Sequence, residues 1–277
     1  LPRSLTMASI LRRILPPHAL TDVGVLGHSS YSQSSAFSPR GAMGSKGVMV
    51  AISSVSEDLN DPLAMGMTGV GKTTMAAMVA LHDDVRSYFK DGVAFAHVGM
   101  DKLDYLRYTH CLRDIVAQVG YSGMPIFADL VNIPGEPSSK RKRREAGFML
   151  HARDTIANIM ETRNVLIILD DVYFESDLQW FQFMPQIYQS TQTSKKKLDT
   201  HSPCILLTTK IRDLLPFADT VEIDLLEEVD AIKLMVTESG QPPNHVIASS
   251  REAQEVVREC ANHPLAVKSV GRWLSLK

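Results

Sequence analysis

A glycine-rich string in the first half of the chain has the residue types and the spacing that bind phosphate. Residues 66–74 are GMTGVGKTT, which matches the pattern GxxxxGK[ST]. Glycines let the backbone wrap around phosphate oxygens, a lysine supplies a positive charge near the β- and γ-phosphates, and a threonine hydroxyl can ligate Mg²⁺. The alternative is an ordinary glycine-rich turn before a helix. The nucleotide-binding residues predicted from this string, called the phosphate loop below, are Gly66, Met67, Thr68, Gly69, Val70, Gly71, Lys72, Thr73 and Thr74.

A pair of aspartates later in the chain could complete the site. Asp170 and Asp171 follow the apolar run of NVLIILDDVY, and carboxylates at the carboxyl end of a buried parallel strand lie where ligands of such sheets bind. We expect Asp170, together with Thr73, to hold Mg²⁺. We expect Asp171 to act as the catalytic residue that faces the attacking water or the γ-phosphate. If the pair stood alone, a simple turn would explain it equally well.

A third polar group follows another apolar run. The string CILLTTK, residues 204–210, ends in Thr208, Thr209 and Lys210. Polar side chains at the end of a strand beside the phosphate loop could sense whether a terminal phosphate is present. The alternative is a strand that runs into a solvated lysine.

The elements that must position these residues alternate along the chain. Short apolar runs are separated by stretches whose apolar residues recur at helical spacing, one of them beginning at Lys72. This alternation predicts an α/β fold, a three-layer P-loop NTPase with a central parallel sheet. After about Leu226 only helical patterns continue, and Pro264 suits the first turn of the last helix. Strands are predicted at residues 63–67, 93–98, 165–169, 204–207 and 221–225.

Composition divides the chain into three segments. Residues 1–58 are predicted to form a disordered N-terminal tail, with an organelle transit peptide as the alternative, because residues 1–56 contain a serine-rich tract and a single acidic side chain. Residues 59–226 are predicted to form the nucleotide-binding domain. Residues 227–277 are predicted to form part of an all-helical subdomain.

Charge and cysteine content narrow the function classes. The formal net charge is −2, so no global field draws the protein to nucleic acid or to an acidic membrane. The basic run at residues 140–144 is interpreted as a solvated loop, with a nuclear-import signal as the weaker alternative. The 3 cysteines show no metal-ligand spacing, and no apolar run is long enough to span a membrane. We therefore expect a cytoplasmic protein.

Five strings in order carry a family resemblance. The phosphate loop, LIILDDVY, ILLTTK, IDLLEEVDAIKLM and CANHPLAV resemble the NB-ARC domain of signal-transducing ATPases, the nucleotide switch of plant resistance proteins and of apoptosome scaffolds. The resemblance covers about residues 60–277. It implies that ADP is held in the resting state, that ATP replaces ADP on activation, and that the ATP form self-associates. In the family, a winged-helix region with a histidine that closes over ADP follows the helical subdomain.

The resemblance also implies residue roles. Lys72, Thr73 and Asp170 would bind phosphate and Mg²⁺, and Asp171 would take the second position of the Walker B pair. Lys210 falls where the family usually has an arginine that senses the γ-phosphate, and Pro264 corresponds to a proline that packs against adenine. The sequence departs from the usual family pattern at two places. A lysine replaces the arginine at position 210, and residues 262–263 are Asn-His where Gly-Leu is usual.

The combined prediction is a regulatory switch that binds ADP and ATP and hydrolyses ATP slowly, in a signalling or defence scaffold. The shorter Asp171 side chain reaches less far than a glutamate base would, which favours slow hydrolysis. The rival function is an active P-loop ATPase of the AAA type or a phosphotransferase. A degenerate domain that binds no nucleotide is the third alternative.

Overall fold

The computed structural model describes residues 3–16, 19–20, 49–54, 67–121, 133–183, 203–211, 214, 218–243 and 245–276. These residues contain strands and helices in alternation, followed by helices alone. The strands are β1 (Met49–Ser54), β2 (Gly92–His97), β3 (Val165–Asp170), β4 (Cys204–Thr208) and β5 (Asp219–Ile223). The helices are α1 (Arg3–Ile14), α2 (Lys72–Leu81), α3 (Asp83–Tyr88), α4 (Tyr105–Gln118), α5 (Ser138–Met160), α6 (Glu175–Leu178), α7 (Glu228–Glu238), α8 (Arg251–Glu259) and α9 (Pro264–Ser275), with a 3₁₀ turn at Val246–Ser249.

The strands form one parallel sheet in the order β2-β3-β4-β1-β5. Every residue of β3 is buried, as expected for an apolar strand that is covered on both faces. Because β1, β4 and β3 are neighbours and run parallel, the carboxyl ends of these three strands lie at the same edge of the sheet. The predicted central parallel sheet is therefore confirmed.

Helices cover both faces of the sheet. Alternate side chains of β3 point to opposite faces, so Ile167 packs in one apolar cluster with α4 and α5, and Leu166 packs in another with α1, α2 and α3. Ile156 of α5, in the first cluster, and Met75 of α2, in the second, are among the largest fully buried side chains. The predicted three layers are confirmed.

The prediction of a disordered tail over residues 1–58 is wrong for the part of this segment that the structure describes. Helix α1 buries Ile10, Leu11 and Ile14 against the sheet, and β1 lies between β4 and β5. The serine-rich composition concealed two short apolar runs, and the burial of these runs outweighs the polar character of their surroundings. Residues 21–48 lie outside the described residues.

The strand predicted at residues 63–67 is also wrong where it can be compared. Met67 lies in the loop before α2, and the strand that stands beside β4 is β1. Residues 63–66 lie outside the described residues. The other four predicted strands are confirmed within one or two residues at each end.

The last helices form a separate apolar cluster. Ala231 and Met235 of α7 pack with Val257 of α8 and Val267 of α9, so the predicted helical region is confirmed. The basic run at residues 140–144 lies in the first turns of α5 rather than in a loop, with its side chains largely exposed. Among the described residues, no helix is both long and apolar enough to cross a membrane.

Candidate functional site

The described part of the phosphate loop leads directly into α2. Gly69 and Gly71 have φ angles of +81° and +99°, a left-handed conformation that glycine adopts without steric cost. Gly71 caps α2 without a side-chain hydrogen bond, so the first-turn amides are not taken by a capping side chain. Such amides at a helix N-terminus attract phosphate oxygens. Gly66, the first predicted residue of the loop, lies outside the described residues.

Lys72 is buried at the base of this loop. Its Nζ donates hydrogen bonds to the Met67 carbonyl oxygen at 2.8 Å and to Ser54 Oγ at 3.2 Å. The pKa of Lys72 is lowered to about 8, mainly by burial and next by repulsion from Lys210, while attraction by Asp171 and Asp170 opposes both effects. Ser54, at the end of β1, was missed by sequence reasoning because β1 itself was missed.

Asp170 organises a network of hydroxyl groups at the ends of β3 and β4. Its Oδ1 accepts hydrogen bonds from Thr73 Oγ1 at 2.8 Å and from Thr208 Oγ1 at 2.7 Å. Thr208 Oγ1 in turn accepts a hydrogen bond from the Asp171 amide at 2.9 Å. The network joins the first turn of α2 to two strand ends, so the predicted residues Thr73, Asp170 and Asp171 lie together.

The oxygens of this network fit a magnesium ion. Thr73 offers a hydroxyl and Asp170 and Asp171 offer carboxylates, which are the hard ligands that Mg²⁺ prefers. Asp171 adopts a left-handed φ of 57°, and its charge lies close enough to Lys72 to favour the protonated ammonium. If Mg²⁺ were bound, it would offset the negative charge of the phosphates and of the two aspartates.

Lys210 lies on the same side of the sheet, beyond the end of β4. Its Nζ is 5.4 Å from the centre of the Tyr173 ring, and its charge lowers the pKa of Lys72. The Thr209 amide donates to the Ile52 carbonyl oxygen at 3.0 Å, which holds this segment against β1. Lys210 is therefore near the phosphate loop, as its predicted role requires.

The first turn of α9 rests on the phosphate loop. His263 Nε2 is 2.8 Å from the Thr68 carbonyl oxygen, and a Cβ atom added at Gly69 would lie 2.9 Å from Leu265 Cβ. Asn262 has a φ of 55°, a left-handed conformation that asparagine tolerates better than most residues. This conformation explains how asparagine stands where the family usually has glycine.

The remaining predicted residues lie around the same loop. Pro264 is the first residue of α9 and is partly buried, and Val70 is buried. Thr74 is exposed in the first turn of α2. The contacts of His263 with Thr68 and of His97 with Asp170 were not predicted from the sequence, because they depend on the packing of distant segments.

Comparison with known proteins places the chain among nucleotide-binding signalling proteins. The model of the NB-ARC domain family matches residues 56–244, well over half of the chain and all of the predicted site residues except Pro264. A putative disease resistance protein of Arabidopsis thaliana is 25% identical over 218 residues, which is 76% of this chain and 20% of the relative. The probable disease resistance protein RF45 of the same plant is 26% identical over 222 residues, 76% of this chain and 18% of the relative. Disease resistance protein RPH8A, also from Arabidopsis thaliana, is 23% identical over 241 residues, 80% of this chain and 22% of the relative. The chain thus spans about a fifth of the length of these relatives.

Proposed function

The chain belongs to the NB-ARC domain family, and on that premise we propose that it is a switch that holds ADP at rest and exchanges it for ATP on activation. The observation that carries this proposal is that the phosphate loop contacts both the sheet and the helical subdomain. Thr73 of the loop bonds to Asp170 at the sheet edge, whereas Thr68 and Gly69 contact the first turn of α9. A change in the bound phosphates would therefore change the surface on which the helical subdomain rests.

The proposed residue roles combine the chemistry of the site with what the family resemblance implies. The loop amides and Lys72 would bind the phosphates and Thr73 and Asp170 would hold Mg²⁺, while the resemblance implies that Pro264 would pack against adenine. Lys210 senses the γ-phosphate, and its nearness to Lys72 supports this role. A single ammonium lacks the two-pronged hydrogen bonding of an arginine, so we expect weaker discrimination between ATP and ADP than an arginine would give.

ATP hydrolysis by this switch is slow. Asp171 orients the attacking water, but its short side chain reaches less far toward that water than a glutamate would. We expect steady-state turnover below about one per second, at the low end of enzyme rates. Rapid multiple turnover in a phosphate-release assay would instead favour the rival function, an active ATPase of the AAA type or a phosphotransferase.

Binding of a fluorescent ADP analogue tests the phosphate loop. The wild-type protein should bind the analogue, and Lys72→Ala should lose most of the affinity because the buried ammonium is removed. Lys142→Ala, on the exposed start of α5, is the matched control and should bind as the wild type does. Circular dichroism shows whether each variant is folded, and equal affinity of folded Lys72→Ala and wild type would overturn the assignment.

Self-association of the ATP form is the second part of the proposal. The relatives are described as disease resistance proteins, which suggests a role of this chain in a defence signalling scaffold. Light scattering after size-exclusion chromatography should show a larger particle with Mg²⁺ and a non-hydrolysable ATP analogue than with ADP. An identical mass in both nucleotides would count against self-association driven by ATP.

A further inference from the structure

Three potential metal ligands meet at the ends of β2 and β3, partly outside the site described above. His97 and Asp170 are paired in the register of these two strands, and Asp171 follows directly. We infer that His97, Asp170 and Asp171 bind a divalent transition-metal ion of the series from Mn²⁺ to Zn²⁺. The site shares Asp170 with the proposed nucleotide-bound Mg²⁺, but its three side-chain ligands come from the protein and it needs no nucleotide.

The distances suit a common ion. His97 Nδ1 and Asp170 Oδ2 are 3.3 Å apart, and one ligand atom from each of the three residues lies within 4.8 Å of the others. Two ligand atoms that each lie about 2.0–2.2 Å from one ion are separated by roughly 3–4.4 Å. A small rotation of the Asp171 or His97 side chain would therefore bring all three atoms to a shared ion.

The two oxygens of Asp170 have different partners. Oδ1 accepts hydrogen bonds from Thr73 and Thr208, whereas Oδ2 faces His97. The two hydroxyl donors fix the orientation of this buried carboxylate before any ion arrives. Such support by hydrogen bonds is what orients the ligands of metal sites, and a buried carboxylate is stabilised by a neighbouring cation.

The backbone of His97 is held, while its ring remains open to solvent. The Val98 amide donates to the Asp170 carbonyl oxygen at 2.9 Å, and Cys111 Sγ lies 3.4 Å from the His97 carbonyl oxygen. The side chain of His97 is 62% exposed. An ion can therefore reach the imidazole from solvent without movement of the sheet.

The imidazole determines which ions the site favours. Mg²⁺ takes oxygen ligands, whereas Mn²⁺, Co²⁺ and Zn²⁺ accept one nitrogen together with carboxylate oxygens. An ordinary hydrogen bond between His97 and Asp170 would also explain the distance between these two side chains. In that case, a metal ion bound to the protein would not be coordinated by the imidazole nitrogen. Nitrogen coordination therefore separates the two interpretations.

The test is titration of the 277-residue protein with Mn²⁺ in the absence of nucleotide, followed by electron paramagnetic resonance. The wild type should bind Mn²⁺, and pulsed spectra should show coupling to a ¹⁴N nucleus. In His97→Ala the affinity for Mn²⁺ should fall at least tenfold, and the ¹⁴N coupling should disappear. Even the loss of a residue that only hydrogen-bonds to a metal ligand can weaken metal binding by this factor. Asp171→Asn should also weaken binding, with retention of the ¹⁴N coupling.

His151→Ala is the matched control, because His151 is exposed on α5, away from the ends of β2 and β3. It should bind Mn²⁺ as the wild type does. Unchanged affinity in folded His97→Ala, or wild-type spectra without ¹⁴N coupling, would overturn the inference. Because nucleotide is left out, this outcome would say nothing against the proposed ADP and ATP site, which the fluorescent analogue tests separately.

Discussion

Replacement of Gly69 by alanine should push the helical subdomain away from the phosphate loop. The new Cβ would lie 2.9 Å from Leu265 Cβ and 3.0 Å from His263 Cε1, closer than van der Waals contact allows. Leu265 Cβ is attached to the backbone of α9, so the helix itself must shift. Gly69 also has a φ of +81°, where alanine is strained.

The control for this substitution is Gly240→Ala. Gly240 has the same φ of +81°, but a Cβ atom there would meet nothing within 4 Å. Backbone strain alone should lower the free energy of unfolding by about 1–2 kcal/mol in this control. Gly69→Ala should lose about 1–3 kcal/mol more, since overpacking adds to the same strain.

Urea unfolding measures both free energies, and hydrogen exchange locates the effect. Amides in the first turn of α9 should exchange faster in Gly69→Ala than in either the wild type or Gly240→Ala. If the two glycine variants lose the same free energy and α9 exchanges at the wild-type rate in both, then α9 does not rest on the phosphate loop and the proposed coupling loses its structural basis.

Three other perturbations test the core, the subdomain and the buried lysine. Leu11→Ala should lower the free energy of unfolding by about 2–5 kcal/mol, because Leu11 is 1% exposed. The control Arg12→Ala, at an exposed position of the same helix, should change this free energy by less than about 0.5 kcal/mol. If urea unfolding gives similar losses for both variants, then α1 does not pack on the sheet. Gly271→Ala should lower the free energy of unfolding by about 1–3 kcal/mol, because the new Cβ would lie 2.6 Å from the backbone of α7. The control Gly147→Ala, where a Cβ inside α5 would meet nothing within 4 Å, should leave the stability unchanged or raise it. Thermal unfolding of the two variants measures this difference. The affinity for ADP should be constant below the Lys72 pKa of about 8 and fall roughly tenfold per pH unit above it, because only the charged ammonium attracts phosphate. Isothermal titration calorimetry measures this affinity. The same affinity at every pH from 7 to 9.5 would contradict the reasoning.

Much of the candidate site could be predicted from short strings. The glycines, Lys72 and Thr73 lie in one local pattern, and Asp170 follows a strand whose apolar residues mark it as buried on both sides. These parts were predictable because the apolar spacing that marks a strand or a helix lies within the segment itself. Composition was a poorer guide, since the serine-rich start of the chain contains α1 and β1.

By itself, the amino-acid sequence determined the chemistry of this protein: a phosphate-binding loop, an aspartate pair, alternating strands and helices, and a helical region after Leu226. The tertiary structure alone decided that β1 stands beside β4, that His97 faces Asp170, and that His263 reaches Thr68. The two histidine contacts join residues that are 73 and 195 positions apart. Strand register and helix packing bring such residues together, and neither is encoded within a single local string.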